Sequence, residues 1–266
     1  MVKIIIKNFI GTVLILLVAS SAKAASLTIF STDFNSGVPI EMLNGISTTE
    51  SVQGFAGRGT GSNVFSGDFL RNQTGGGPTG TAGSPTILSL TNLPSHTSID
   101  INFLLAIIDT WDGSSAAQGN GPDYFNVTVD GLAIFRETID HETVLSGDYE
   151  APTGVLFTSG TDLFIDDLAP QVDKGFNLGL DSAFNGIAHT ESTLTIAWFA
   201  DGPGWGGDIN INAPTGLPVG TTDETWAIDN VEVVLGGVSA VPVPAAAWLF
   251  GSGLIGLVGF ARRKKA

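Results

Sequence analysis

Ile99-Asp100-Ile101-Asn102-Phe103-Leu104-Leu105-Ala106-Ile107-Ile108 is the stretch that decides the fold. The odd positions from 99 to 107 are apolar while 100 and 102 are polar, the period of two that a strand imposes by sending successive side chains to opposite faces. From Phe103 onward the polar alternate disappears. The stretch therefore reads as a half-buried strand whose second half is buried on both faces. Asp109-Thr110-Trp111-Asp112-Gly113 ends it.

Working outward, the same period recurs in short segments. Phe125, Val127 and Val129 share one face of residues 123–129, and Asp130-Gly131 before Leu132-Ala133-Ile134-Phe135-Arg136 is a hairpin signal, because aspartate and glycine tolerate the dihedrals of a tight turn. Leu194, Ile196 and Trp198 alternate, as do Phe176, Leu178 and Leu180. Residues 26–34 read as a first strand, Val155-Leu156-Phe157 as a short one and residues 226–235 as the last. Between Gly45 and Pro85 the core candidates are few, namely Phe55, Val64, Phe65 and Phe69, and the glycines at 57, 59 and 61 lack the strand-loop-helix context of a phosphate loop. No stretch of 25–240 keeps a 3.6-residue apolar period over three turns. These features predict an all-β, two-sheet β-sandwich of jelly-roll type over residues 25–235, with 236–241 as a linker. A β-solenoid would need a fixed internal repeat, and the turns are irregularly spaced.

The two ends read differently. Lys3 and Lys7, the apolar run from Phe9 to Ala19 and Ala22-Lys23-Ala24 make residues 1–24 a secretory signal peptide, with cleavage expected between Ala24 and Ala25. The run from Val243 to Ala261 holds nineteen residues with one proline, one serine and no charge, which is about 28 Å of helix at ~1.5 Å per residue. This predicts a C-terminal transmembrane helix over 243–261, with Arg262, Arg263, Lys264 and Lys265 as a basic stop on the cytoplasmic side. Between the ends only Arg58, Arg71, Arg136 and Lys174 oppose twenty-six acidic residues, a net charge of about −22. Such a surface repels nucleic acid and attracts cations. There is no cysteine, so stability must come from core burial, metal binding or both.

The proline motif Pro242-Val243-Pro244, the small-residue and Trp248-Leu249-Phe250-Gly251-Ser252-Gly253-Leu254 stretch and the basic end make residues 242–265 resemble the PEP-CTERM protein-sorting signal of Gram-negative bacteria. Val243 stands where that family commonly has glutamate. The resemblance implies an exosortase-type processing enzyme as partner, a transient or stable inner-membrane stage, and a final place at the cell surface or in the extracellular matrix.

Calcium is the chemistry the loops most readily permit, since it takes six to eight oxygens from carboxylates, amides and carbonyls. Continuing the register back from Val231, Val233 and Leu235 places Asp229 on the apolar face, where a carboxylate must be paired, hydrogen-bonded or metal-bound. Trp226 and Ile228 argue for the opposite register, which would need a bulge near 229. Asp33-Phe34-Asn35-Ser36-Gly37 and the closing segment 223–231 resemble the opening and closing strands of carbohydrate-binding-type jelly rolls, a likeness that implies a structural Ca2+ with Asp33 and Asp229 as ligands. Asp109, Asp112 and Asp123 form a second acidic set, although the twelve-residue helix-loop-helix calcium pattern is missing. Trp111 and Trp205 either offer flat faces to sugar rings or plug the ends of the core. His96, His141 and His189 lie in separate segments without zinc-ligand spacing, and neither a nucleophile elbow nor a cysteine nucleophile is present. The sequence thus predicts a noncatalytic exported protein that binds extracellular polysaccharide with structural calcium; the alternative is a secreted or periplasmic glycan-modifying enzyme.

Overall fold

In a computed structural model of the protein, the described residues are 25–43, 45, 47–72, 84–114, 121–141, 147–164, 172–203, 205 and 224–238. They form two antiparallel sheets and a small two-stranded ribbon. The larger sheet is built on β8 (Ser98–Asp109) and β15 (Glu224–Val238), the two longest strands. Beyond β8 lie β12 (Asp173–Asn177) with β11 (Leu156–Thr161), and β13 (Ile187–Ala188). The opposite flank of β15 is shared: its first part pairs with β6 (Asp68–Asn72), which carries β3 (Ser47–Ser51), and its second part pairs with β1 (Ala25–Thr32), from Thr32 opposite Val231 to Ala25 opposite Val238. The smaller sheet runs in the order β10 (Leu132–Thr138), β9 (Tyr124–Val129), β14 (Thr193–Asp201), β7 (Thr86–Thr91), β2 (Met42–Leu43). The ribbon joins β4 (Gly59–Thr60) to β5 (Asn63–Val64).

The main core lies between the sheets. Ile99, Ile101, Phe103, Leu105 and Ile107 of β8 meet Phe125 and Val127 of β9 and Leu194, Ile196 and Trp198 of β14, all buried. Burying each such side chain contributes on the order of 1.5–3 kcal/mol. A second, smaller core covers the opposite face of the larger sheet. There Leu104, Ala106 and Ile108 of β8, Ala227 of β15 and Phe69 of β6 pack under Phe55 and Phe65 and under Leu163 and Phe164. The aromatic rings close it with edge contacts, Phe55 to Phe65 at 5.2 Å and Phe65 to Phe69 at 6.2 Å between centroids. The loss of polar alternates after Asn102 thus has its physical cause in a segment, 52–67, that folds over the sheet.

β15 solves its two conflicting registers with a bulge. Its pairing with β8 shifts between Asp229 and Glu232, and Asn230 takes a positive φ of 49°. Trp226 and Ile228 before the shift and Val231, Val233 and Leu235 after it all reach the main core. Asp229 consequently shares the side of Ala227, facing the second layer and not the main apolar face that the register from Val231 had suggested.

Three expectations need correction. The fold is all-β and two-sheeted, but a transmembrane helix over 243–261 is no part of the described fold: no helix among the described residues is long and apolar enough to cross a membrane, and those that occur are 3-10 turns of three residues. Residues 1–24, including Ala24, the motif Pro242-Val243-Pro244 and the tail Arg262-Arg263-Lys264-Lys265 lie outside the described residues; Ala25 opens β1. β15 continues through Gly236 and Gly237 to Val238, so the expected linker begins inside a strand. Leu180 does not continue the alternation of Phe176 and Leu178, because a 3-10 turn over Leu178–Leu180 leaves it half exposed, at 51%.

Candidate metal centre

At one end of the larger sheet β8 stops at Asp109, whose φ of 67° turns the chain out of the strand. Trp111 then folds inward, and its Nε1 donates to the Thr225 carbonyl at 2.7 Å, tying the loop to the first residues of β15. The Asp112 backbone N–H donates to Asp123 Oδ2 at 2.8 Å, and the Asp123 N–H donates to the Asp112 carbonyl at 2.9 Å. This reciprocal pair closes the loop on the approach to β9. Gly121 lies so close that a Cβ there would meet the Asp112 Cβ at 2.6 Å. Glu224, the first residue of β15, stands opposite Asp109 in the pairing with β8.

These connections bring Asp112, Asp123 and Glu224 together, with one carboxylate oxygen from each within 4.8 Å of the others. Asp123 and Glu224 are buried and Asp112 is partly so. Three carboxylates in so small a space repel one another at low dielectric, and a cation between them turns that repulsion into attraction. The cluster could hold a metal ion. With oxygen donors alone and neither imidazole nor thiolate, its chemistry suits a hard cation. Asp109, the third member of the set expected from sequence, points elsewhere: Arg71 Nη2 stands 3.9 Å from its carboxylate. Glu224 carries no local signal in the sequence, because only the β8–β15 pairing brings it to the loop.

Trp111 and Trp205 are fully buried and pack on each other at 5.2 Å between centroids. Neither has a face to offer a sugar ring, so the glycan-platform reading of both is corrected to core plugs.

Asp33 and Asp229 lie at a different place, the junction where the flank of β15 passes from β6 to β1. Asp229 is fully buried; its Oδ1 accepts from the Asn230 N–H at 2.7 Å and its Oδ2 from the Ser66 N–H at 3.4 Å. Burial pushes its carboxyl up to about 7, and the charges of Asp33 and Asp68 push the same way. Asp33 is exposed and caps its own turn, accepting from the Asn35 N–H at 3.2 Å, and hydrogen bonding from Asn35 holds its carboxyl below the usual range. Asn35 in turn accepts from the Asp68 N–H at 2.8 Å.

The fold also unites His96 and His189, which sequence spacing left apart. His96 Nε2 and His189 Nδ1 share a hydrogen bond of 2.7 Å, and His189 Nε2 lies 3.0 Å from Asp130 Oδ2 at the β9–β10 turn. His141 Nδ1 is hydrogen-bonded to the Trp111 carbonyl at 2.8 Å. Lys174 is buried, and desolvation lowers its pKa.

No family model matches the chain and no curated protein matches it. The assignment of residues 242–265 to the PEP-CTERM family is thereby corrected. The exosortase-type partner, the inner-membrane stage and the surface or matrix destination that rested on it fall with it, as does the polysaccharide-binding role built on that destination. Among solved structures the chain is similar to the K3 cleaved adhesin domain of Lys-gingipain from Porphyromonas gingivalis, at 13% identity and a TM-score of 0.37 over 78% of this chain and 99% of that one. At that TM-score the likeness carries no argument about function.

Proposed function

We propose that the domain is a noncatalytic calcium-binding module, in which the ion held by Asp112, Asp123 and Glu224 fastens the loop after β8 to the start of β15. The observation that carries this reading is the convergence of three carboxylates, two of them buried, from the loop between β8 and β9 and from the start of β15. Calcium fits better than magnesium because it accepts irregular carboxylate sets and keeps fewer waters. A role in holding the fold is supported by the neighbours of the cluster: Trp111, between Asp109 and Asp112, plugs the core and binds the β15 backbone.

The test is thermal unfolding of chelator-stripped protein with and without calcium. A free ion at a hundred times its dissociation constant stabilises by about 2.7 kcal/mol, which raises Tm by roughly 5–10 °C for a domain of this size. Glu224→Gln abolishes the rise. An unchanged Tm at millimolar calcium refutes the reading.

A second calcium at Asp33 and Asp229 is also proposed, favoured by the three acids, Asp33, Asp68 and Asp229, whose charges meet at the β6–β1 junction. Calorimetric stoichiometry separates the two sites: two ions per chain fall to one in Asp229→Asn, and also in Glu224→Gln. A single ion lost only in Glu224→Gln removes the second site.

A further inference from the structure

A groove of about 880 Å³ opens beside the β15 bulge, between the end of β1, the β4–β5 turn, Asn102 of β8 and the segment after β12. That volume is in the range of small-molecule sites and far beyond a single ion or water. Its lining includes Asp33 and Glu232 and is otherwise made of amides, hydroxyls, glycines and Leu180; it contains no lysine, arginine, histidine or aromatic residue. We propose that this groove binds a short aliphatic diamine, with its two ammonium groups received by Glu232 and Asp33.

Glu232 is set in place before any ligand arrives. Its Oε1 accepts from Thr28 Oγ1 at 2.9 Å and its Oε2 from Asn102 Nδ2 at 3.2 Å, one donor from the strand on each side. Both donors are neutral, and among the described residues neither Glu232 nor Asp33 is paired with a lysine or arginine. A carboxylate oxygen has a second lone pair to give, and a cationic donor makes the stronger bond. Around it the amides are locked. Asn230 Nδ2 donates to Asn63 Oδ1 and to the Val64 carbonyl, both at 2.9 Å, and Asn63 Nδ2 donates to Asn177 Oδ1 at 3.4 Å. Because both donations of Asn230 are spent on the wall, its side-chain oxygen is left as an acceptor.

The chemistry of the lining selects the ligand. Phosphates and carboxylates are rejected by two acids with no cation to offset them, and flat rings find no aromatic face on which to stack. Ser31 is paired with Glu232 across β1 and β15, Asp33 lies two residues further along the chain from Ser31, and both acids line the same groove. A flexible pentamethylene chain lets its two terminal ammonium groups reach acids at different points of the lining, and Leu180, 51% exposed on the wall, can cover its methylenes. The acidity of the whole chain draws cations toward the surface, while the groove supplies the fixed geometry.

The test is isothermal calorimetry on the full chain with cadaverine, in calcium-free and in calcium-saturated buffer, so that failure of the proposed ion site is read separately. One molecule per chain is expected in calcium-free buffer, with affinity falling as salt rises, and an ion held by Asp33 and Asp229 in calcium-saturated buffer should weaken it by competing for Asp33. Glu232→Gln should weaken binding at least about tenfold, the loss expected for one charge-assisted bond. Ser62→Arg, which sets a cation on the exposed turn of the groove wall, should abolish it without altering Glu232, and Glu191→Gln, an exposed acid outside the groove, should leave it unchanged. Absence of heat at millimolar cadaverine, equal affinity in the Glu232→Gln protein, or an equal loss in Glu191→Gln overturns the proposal. Tighter binding of N-acetyl-lysinamide than of cadaverine overturns it too, by assigning the groove to a protein lysine.

Discussion

Replacing Asp229 by asparagine should stabilise the calcium-free protein in alkaline buffer and fail to do so in acid. The buried carboxyl titrates at about 7, against 3.8 for its ordinary value. Between those pH values the folded chain holds a proton that the unfolded chain has released, so stability falls as pH rises through the window. By pH 8 the accumulated cost is roughly 4 kcal/mol, at ~1.36 kcal/mol for each unit of displacement. Asparagine removes the charge but turns an NH2 group toward one of the two backbone N–H donors, from Ser66 or Asn230, which costs ~1–3 kcal/mol. The expected net gain at pH 8 is therefore about 1–3 kcal/mol. At pH 5 the wild-type carboxyl is largely protonated, its residual cost is under about 2 kcal/mol, and the gain vanishes or reverses. Urea unfolding at pH 5, 6.5 and 8 in chelator measures this directly. Equal destabilisation of the variant at pH 5 and pH 8 would show that the ionised carboxylate is content with its two N–H partners, and the reasoning would be wrong. Saturating calcium should also reverse the sign at pH 8, because a bound ion needs the charge that asparagine lacks.

Leu104→Ala should cost about 2–5 kcal/mol in urea unfolding, as much as Leu105→Ala on the opposite face; a cost within ~0.5 kcal/mol, typical of a surface position, would show that segment 52–67 does not cover the sheet. Trp111→Phe loses the hydrogen bond to Thr225 and part of the contact with Trp205, so it should destabilise by roughly 2–4 kcal/mol and blunt the calcium-induced rise in Tm; a melting curve that still shifts fully with calcium would separate the plug from the ion site.

Much of the fold is legible because it is written in local periods. The alternation from Ile99 to Ile108, the Asp130-Gly131 turn and the conflict between Trp226 and Val231 each constrain the chain over a few residues, and the structure answers each with a two-faced strand, a hairpin and a bulge. The second layer was harder to see. Phe55, Phe65 and Phe69 are spread over a glycine-rich stretch without a period, and only their packing on β8 reveals what they cover. The sites follow the same division. Asp112 and Asp123 belong to one loop and could be grouped from sequence, whereas Glu224 and the His96–His189 pair are assembled by pairings across about a hundred residues. The two tryptophans show the limit of composition: a Trp beside acids suits a sugar platform and a core plug equally until its burial is known.

The pairing of Ala25 with Val238 has a mechanical consequence. β1 and β15 run antiparallel with these two residues at the same end of the ladder, so a load drawing Ala25 away from Val238 meets one hydrogen-bonded rung at a time instead of the whole row at once. Beyond Thr32 the peeling front would reach the junction where the charges of Asp33 and Asp68 act on Asp229. An ion seated there would act as a rivet at the far end of a zipper, and the force needed to pull the strand free would report on whether that rivet is in place.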